Sequence, residues 1–171
     1  FLANPNNPTG TIIMKNELVS FLKKVPQNIL VVVDGAYAEY VTDLRFSDGL
    51  NLTNQFPNLI ITRTFSKIFA LAGLRLGWAY SSEKIIETLE KIRGPFNVNI
   101  IAQTIGSLML KEDNFLKKSI RHNMVWKKKL SAFVNSLGLE TYETYANFVL
   151  IRIDKAKFKK KTLIKKLTEK N

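Results

Sequence analysis

Three charged side chains stand where a surface role explains them poorly. Asp34 closes a run of five apolar residues, Ile29 to Val33. A carboxylate there is costly to bury without a cation or hydrogen-bond donors. Two readings fit it: a turn-forming or helix-capping aspartate before Gly35, or an anion held to pair with a cationic ligand. Tyr37 follows three residues later, which places a phenol on the same side if a helical turn begins there. Lys67 lies between Ser66 and Ile68, among Phe65, Phe69, Ala70, Leu71 and Ala72. Most lysines are solvated surface charges, but in an apolar neighbourhood desolvation favours the neutral, nucleophilic amine. Arg75 sits between Leu74 and Leu76 and is just as awkward as a surface residue. With Thr64 and Ser66 it describes a phosphate site, two hydroxyls and a guanidinium beside a lysine.

A second group precedes these. Asn4-Pro5-Asn6-Asn7-Pro8-Thr9-Gly10 is a compact turn, in which two prolines fix φ and Asn and Gly reach conformations other residues avoid. It reads as a plain loop, or as a set of side-chain amides presented at the end of a strand. Together the residues amount to a cofactor cradle of amides, an anion, a phenol, an amine, hydroxyls and an arginine. Pyridoxal phosphate needs each of them. Its aldehyde requires a lysine amine, its ring nitrogen a carboxylate, its ring oxygen donors, and its phosphate hydroxyls with an arginine.

The elements that must position these residues are legible in outline. Phe1-Leu2-Ala3 reads as the last residues of a buried strand that runs into the turn. Ile29–Val33 and Leu59–Thr62 are non-alternating apolar runs, as a parallel sheet covered on both faces requires. Between them Lys15–Lys24 predicts a helix closed by Pro26. A third strand is expected over Leu76–Tyr80, then a helix over Ser82–Ile92 capped by Ser81 or Ser82 and broken at Gly94-Pro95. Further helices are expected over Ile100–Leu110 and along the basic stretch that follows. Asn147–Ile153 reads as a strand of a second, smaller domain. Strand–helix–strand order with polar groups just past the strand ends is the α/β pattern, in which ligands sit at the carboxyl ends of strands.

These motifs resemble the class I/II aminotransferases of the fold-type I pyridoxal-phosphate enzymes. The resemblance rests on Asn4 to Gly10, on Asp34-Gly35-Ala36-Tyr37, and on Thr64 to Gly77, which reads Thr-Phe-Ser-Lys-Ile-Phe-Ala-Leu-Ala-Gly-Leu-Arg-Leu-Gly. Gly94 to Asn99 and Ala146 to Leu150 bring it nearest to the histidinol-phosphate aminotransferase branch. It covers the chain to about Ile153. The fold implied is α/β, a large domain with a mainly parallel sheet flanked by helices (residues 1–93), followed by interdomain helices and part of a smaller α+β domain (94–171). The resemblance implies that Lys67 binds the aldehyde of pyridoxal 5′-phosphate and serves as general acid–base. It further implies that Asp34 pairs with the ring nitrogen, Asn7 and Tyr37 bond the ring oxygen, and Thr64, Ser66 and Arg75 hold the phosphate. The reaction implied is amino transfer from histidinol phosphate to 2-oxoglutarate in histidine biosynthesis, by a cytoplasmic homodimer. A further phosphate loop, a stacking aromatic ring, a tyrosine given to the partner subunit and the substrate-gripping arginine are expected outside these residues. Arg152 does not match that arginine. The chain is accordingly read as an internal piece, inactive alone. Rivals on the same fold are an aromatic aminotransferase and a threonine-phosphate decarboxylase-like enzyme.

Composition narrows the alternatives. The 171 residues contain no cysteine, which excludes disulfide, thiolate-metal and cysteine-nucleophile chemistry, and the lone histidine, His122, reads as a surface residue and argues against a transition-metal site. No apolar run exceeds five residues, so no membrane-spanning helix is encoded. Residues 1–110 carry 10 basic and 8 acidic side chains, whereas residues 111–171 carry 16 and 6. The basic half raises a nucleic-acid-binding module as a rival of another class. Against it, Leu116, Ile120 and Met124, continued by Trp126, Leu130, Phe133, Val134 and Leu137, form an apolar stripe. That spacing leaves Lys117, Lys118, Lys127, Lys128 and Lys129 mostly on a solvated face.

Overall fold

The computed structural model describes residues 1–153 and 160–169. Strands β1 (Leu2–Ala3), β2 (Val31–Asp34), β3 (Leu59–Thr64) and β4 (Gly77–Tyr80) form one sheet in that order. The first three run parallel, and β4 returns antiparallel to β3. The reason lies in the connections. Helix α1 (Lys15–Leu22) carries the chain back between β1 and β2, and the long segment 35–58, with 3-10 turns at Ala38–Tyr40 and Leu50–Leu52, does so between β2 and β3, whereas the shorter segment 65–76 between β3 and β4 comes straight back.

Leu18 and Leu22, one helical turn apart on α1, are buried against Val31, Val33, Leu52, Leu59 and Ile61. Each such aliphatic side chain contributes about 1.5–3 kcal/mol on full burial. The helix starts where the Glu17 carboxylate accepts the Met14 N–H at 2.8 Å. It stops at Leu22, two residues short of the expected end. Ile29 and Leu30 fall outside β2 and are half exposed, so the apolar run begins two residues before the strand it feeds.

Helices α2 (Glu83–Ile92), α3 (Ile100–Met109) and α4 (Asp113–Ser136) follow close to the expected spans. Ser82 holds the N-cap position of α2, yet its hydroxyl donates to the Pro57 carbonyl and that of Ser81 to Leu59, so neither caps through its side chain. Asn99 does cap α3, accepting the Ala102 N–H at 2.8 Å. Of the strand expected at Asn147–Ile153 only β6 (Ile151–Arg152) forms, paired antiparallel with β5 (Glu140–Thr141). The Leu150 carbonyl still accepts the Tyr142 N–H at 3.1 Å, whereas residues 147–149 leave the ladder as Phe148 packs on Tyr37. Helix α5 (Lys160–Thr168) covers part of the lysine-rich stretch, and residues 155–159 of it lie outside the described residues.

A second core lies at the other end of the sheet, where Tyr37, Tyr40, Phe65, Ile68, Phe69 and Ala146 are buried together with Leu116 and Ile120 of α4 packed on them. Only this first half of the α4 stripe and Val134 are covered. Met124, Trp126, Leu130, Phe133 and Leu137 are all at least 40% exposed. Beyond Ile120 the described residues beside the helix are the 144–148 segment, met by Asn123 and Lys127, and the short β5–β6 pair, and together they leave these side chains uncovered. Lys127 departs from the solvated face expected of it: it is half buried and its Nζ donates to the Thr144 carbonyl. Among the described residues no helix is long and apolar enough to cross a membrane.

Candidate active site

Register decides where the functional side chains meet. Ala3 pairs with Asp34 and Asp34 with Thr62, so the chain leaves β1, β2 and β3 at one edge of the sheet. The antiparallel return of β4 keeps Phe65–Leu76 at that same edge. Three segments far apart in sequence are thereby set side by side.

Asn7 Nδ2 donates to the Tyr37 hydroxyl at 3.1 Å. Lys67 Nζ lies 5.4 Å from the centroid of the Tyr37 ring. Asn7, Tyr37 and Lys67 are thus brought together. The Tyr37 ring is fixed from another side by Phe148, edge-on with centroids 5.4 Å apart. The other asparagines of the first turn serve the turn itself. Asn4 is buried and closes a two-way bond with the Ile13 backbone, and Asn6 donates to the Thr9 hydroxyl.

Asp34 is exposed rather than buried, because β2 ends with its side chain past the core. Its Oδ1 accepts the Ala36 N–H at 3.0 Å, which is the turn-forming role. Lys67 is exposed as well. Its neighbours Phe65, Ile68 and Phe69 are turned into the second core, and their spacing puts Lys67 on the opposite side of the loop. The desolvation expected from its apolar neighbourhood is therefore absent from this chain.

The Lys67 loop is tightly wound. Thr64 Oγ1 accepts the Ser66 N–H at 3.0 Å, Ala70 N–H donates to the Lys67 carbonyl at 3.0 Å, and Phe65 N–H to Leu76 at 3.1 Å. Ala70 and Arg75 have φ of 59° and 55°, the left-handed region that side chains avoid and functional loops often use. Arg75 Nη1 donates to the Ala72 carbonyl at 2.8 Å, so its guanidinium is held by its own loop rather than by Thr64 or Ser66.

Sequence reasoning missed Arg63. It is buried in β3, with its guanidinium between Glu39 (3.4 Å) and Asp48 (3.2 Å), 5.9 Å from the Trp78 ring centroid. The signal was the alternation Leu59–Ile61–Arg63, which puts the arginine on the buried face of the strand. Burial pushes the Glu39 carboxyl above its ordinary value, against its own backbone hydrogen bond and the Arg63 charge, which lower it. The docking of residues 144–148 was missed too. Tyr145 N–H donates to the Gly10 carbonyl at 2.8 Å, and a Cβ on Gly10 would lie 2.1 Å from Thr144 Oγ1, so the glycine is required by this approach. Asn123 of α4 donates to the Ala146 carbonyl at 3.2 Å.

Beside Lys67 opens a cleft of about 740 Å³ between its loop and α4, walled by Tyr40, Ile68, His122, Trp126, Lys127 and Phe148. His122 is exposed, as expected, but on this wall. Burial pushes the Tyr40 phenol up, with a hydrogen bond from Asn147 working the other way, and pushes the Lys127 amine down.

Residues 1–171 match the family Aminotransferase class I and II. The chain belongs to the class I and II aminotransferases. A histidinol-phosphate aminotransferase of Maricaulis maris is 46% identical over 151 residues, 88% of this chain and 42% of that protein. The structure of the histidinol-phosphate aminotransferase from Clostridium acetobutylicum superposes with a TM-score of 0.90 at 25% identity, covering 99% of this chain and 51% of that one. That of the Sinorhizobium meliloti enzyme in complex with pyridoxal-5′-phosphate gives 0.85 at 28% identity, covering 90% and 42%. This aminotransferase-family chain therefore spans less than half the length of the curated relatives it matches.

Proposed function

We propose that the site binds pyridoxal 5′-phosphate through Lys67, and that the protein transfers an amino group from L-histidinol phosphate to 2-oxoglutarate, giving imidazole acetol phosphate and glutamate. The observation that carries this reading is the meeting of Lys67 with the Asn7–Tyr37 pair at one sheet edge. The donor set suits the cofactor: an amine for its aldehyde, Asp34 for its ring nitrogen, Asn7 and Tyr37 for its ring oxygen, and Thr64, Ser66 and Arg75 for its phosphate. Bound there, it supplies a protonated ring that draws electrons from the substrate carbon. Asp34 keeps that ring nitrogen protonated. Tyr37, wedged by Phe148 and tied to Asn7, holds its hydroxyl in one orientation. Lys67 would hold the aldehyde through Nζ and, as general base and acid, would move the proton at the substrate Cα.

Histidinol phosphate, rather than an aromatic amino acid or a phosphorylated threonine, is favoured by relatives of that name at 46% and 41% identity. The proposal includes a cytoplasmic homodimer acting in histidine biosynthesis. It also includes a division at about residue 93 between the large cofactor-binding domain and the helices leading to the small one.

The test begins with an absorption scan of the protein, expressed as its gene encodes it, after adding pyridoxal phosphate, followed by borohydride reduction and peptide mapping. A visible band with label confined to Lys67 is expected. Label scattered over surface lysines would sink the reading. A panel of amino donors then decides the substrate, with histidinol phosphate expected to give the highest kcat/KM.

A further inference from the structure

Arg63 touches none of the groups assigned to the cofactor, yet it is the buried charge nearest to them in the chain, one residue before Thr64 on β3. Its side chain is 3% exposed, and its three nitrogens each have a partner. Nε faces Glu39 Oε1 at 3.4 Å, Nη2 faces Asp48 Oδ2 at 3.2 Å and the Asp48 carbonyl at 3.3 Å, and Nη1 donates to the Gly35 carbonyl at 3.4 Å. The contact with Gly35 is the telling one. A Cβ built on Gly35 would lie 1.5 Å from Arg63 Nη1, so the guanidinium fills the space that a side chain at position 35 would need. Gly35 is the residue between Asp34 and the turn that ends in Tyr37. Its N–H donates to the Thr62 carbonyl at 3.0 Å and its carbonyl also receives the Ala38 N–H at 3.0 Å. The turn is thus held from β3 on both sides of one residue, by backbone through Thr62 on its N–H and by side chain through Arg63 on its carbonyl. Glu39 and Asp48 then fix the arginine, with Glu39 next to Tyr40 and two residues past Tyr37.

We propose that Arg63, clamped by Glu39 and Asp48, is a positioning residue that sets the Asp34–Tyr37 turn and with it the two side chains that meet the cofactor ring. The inference rests on the functional reading above for what the turn binds, and on geometry alone for what holds the turn. A planar fork matters here, because a single ammonium cannot reach two carboxylates and a carbonyl at once. Arg63→Lys keeps the charge opposite Glu39 and Asp48 and loses the fork. Arg63→Met paired with Glu39→Gln removes the arginine while leaving less charge buried without a partner.

Amide hydrogen exchange on the protein without cofactor tests the holding. In both variants Gly35 and Ala38 are expected to exchange on the order of tenfold faster, with Val33 and Ile61 still protected. Unchanged protection at Gly35 and Ala38 in the folded variants overturns the proposal. Titration with pyridoxal phosphate, read by absorbance, tests the consequence. Arg63→Lys should raise the Kd on the order of tenfold, and the loss should vanish in an Asp34→Asn, Tyr37→Phe background, where the turn no longer presents either group to the ring. An equal loss in both backgrounds means that Arg63 serves only general folding, and also overturns the proposal. Should the parent protein give no band at Lys67, the functional reading fails by itself, and the exchange experiment still decides whether Arg63 sets the turn.

Discussion

The sheet edge and the second half of α4 are both built from apolar residues interleaved with charges, and the fold treats them in opposite ways. At the sheet edge Phe65, Ile68 and Phe69 are buried, and the charged groups either emerge beside them, as Asp34 and Lys67 do, or are enclosed with counter-charges, as Arg63 is. Along α4 past Ile120, Trp126, Phe133 and Leu137 stay in water at 55% exposure or more, and among them Lys127 meets a backbone carbonyl, that of Thr144, and Lys129 the exposed Trp126 ring, rather than a counter-charge. The difference is what each segment has to pack on. Four strands in register offer a surface large enough to sort side chains by polarity, and a two-residue pair of strands does not. Sorting is what makes a site: Lys67 is set apart from the other lysines because its loop neighbours are anchored, not because of its own surroundings.

If that is right, the largest effect belongs to Lys67. Lys67→Ala should abolish cofactor labelling and lower turnover of the protein as its gene encodes it by about 10³-fold or more, with an unchanged melting temperature, since the side chain is exposed. A melting temperature that fell with activity would mean that the lysine is part of the fold. Stability should divide the two regions just as sharply. Leu18→Ala, at a fully buried position under the sheet, is expected to cost about 2–5 kcal/mol, and Phe133→Ala on α4, at 61% exposure, less than about 0.5 kcal/mol. Denaturant unfolding of the pair measures both. Equal losses would show that α4 is covered in solution by something that packs as well as the sheet does.

What could be read in the sequence follows the same division. The strands, the helices and the order of the ligand-bearing turns were legible, because β-branched runs and helical spacing are local signals, and Asn7, Tyr37 and Lys67 do meet. The error at Asp34 and Lys67 came from reading burial off neighbours in the chain, whereas a loop can bury Phe65 and Ile68 and expose Lys67 between them. Arg63 escaped because its partners Glu39 and Asp48 are brought to it only by pairing β2 with β3. Phe148 was placed in a strand, and its contact with Tyr37 draws the segment out of the ladder. No local pattern announces such a contact.

Within the site itself the expected effects are smaller. Tyr37→Phe keeps the ring against Phe148 and removes the hydroxyl that Asn7 bonds. Cofactor affinity should drop by about 0.5–1.5 kcal/mol, read by absorbance titration, with stability little changed. A loss no larger than that of Asn7→Ala would be expected if the two act as one hydrogen-bonded unit, and strictly additive losses would separate them.

The last test concerns the enclosed charges that distinguish the sheet edge from α4. Burial raises the Glu39 carboxyl above its ordinary 4.5, so the folded protein holds this proton more tightly than the unfolded chain does. A raised carboxyl contributes stability that is fully present below the unfolded value and is lost as pH rises through the folded one. The parent should therefore lose stability relative to Glu39→Gln as pH climbs from about 4.5 through that higher value. Asp43, held down to about 2 by its hydrogen bonds with Arg45, titrates below this window and is common to both proteins. Melting temperatures of the two proteins across the range give the sign directly. If the gap between parent and variant widens in favour of the parent with rising pH, the ion pair with Arg63 outweighs the burial of Glu39. The cluster would then be a net stabiliser of the edge and not a charge kept there at a cost for the sake of the Asp34–Tyr37 turn.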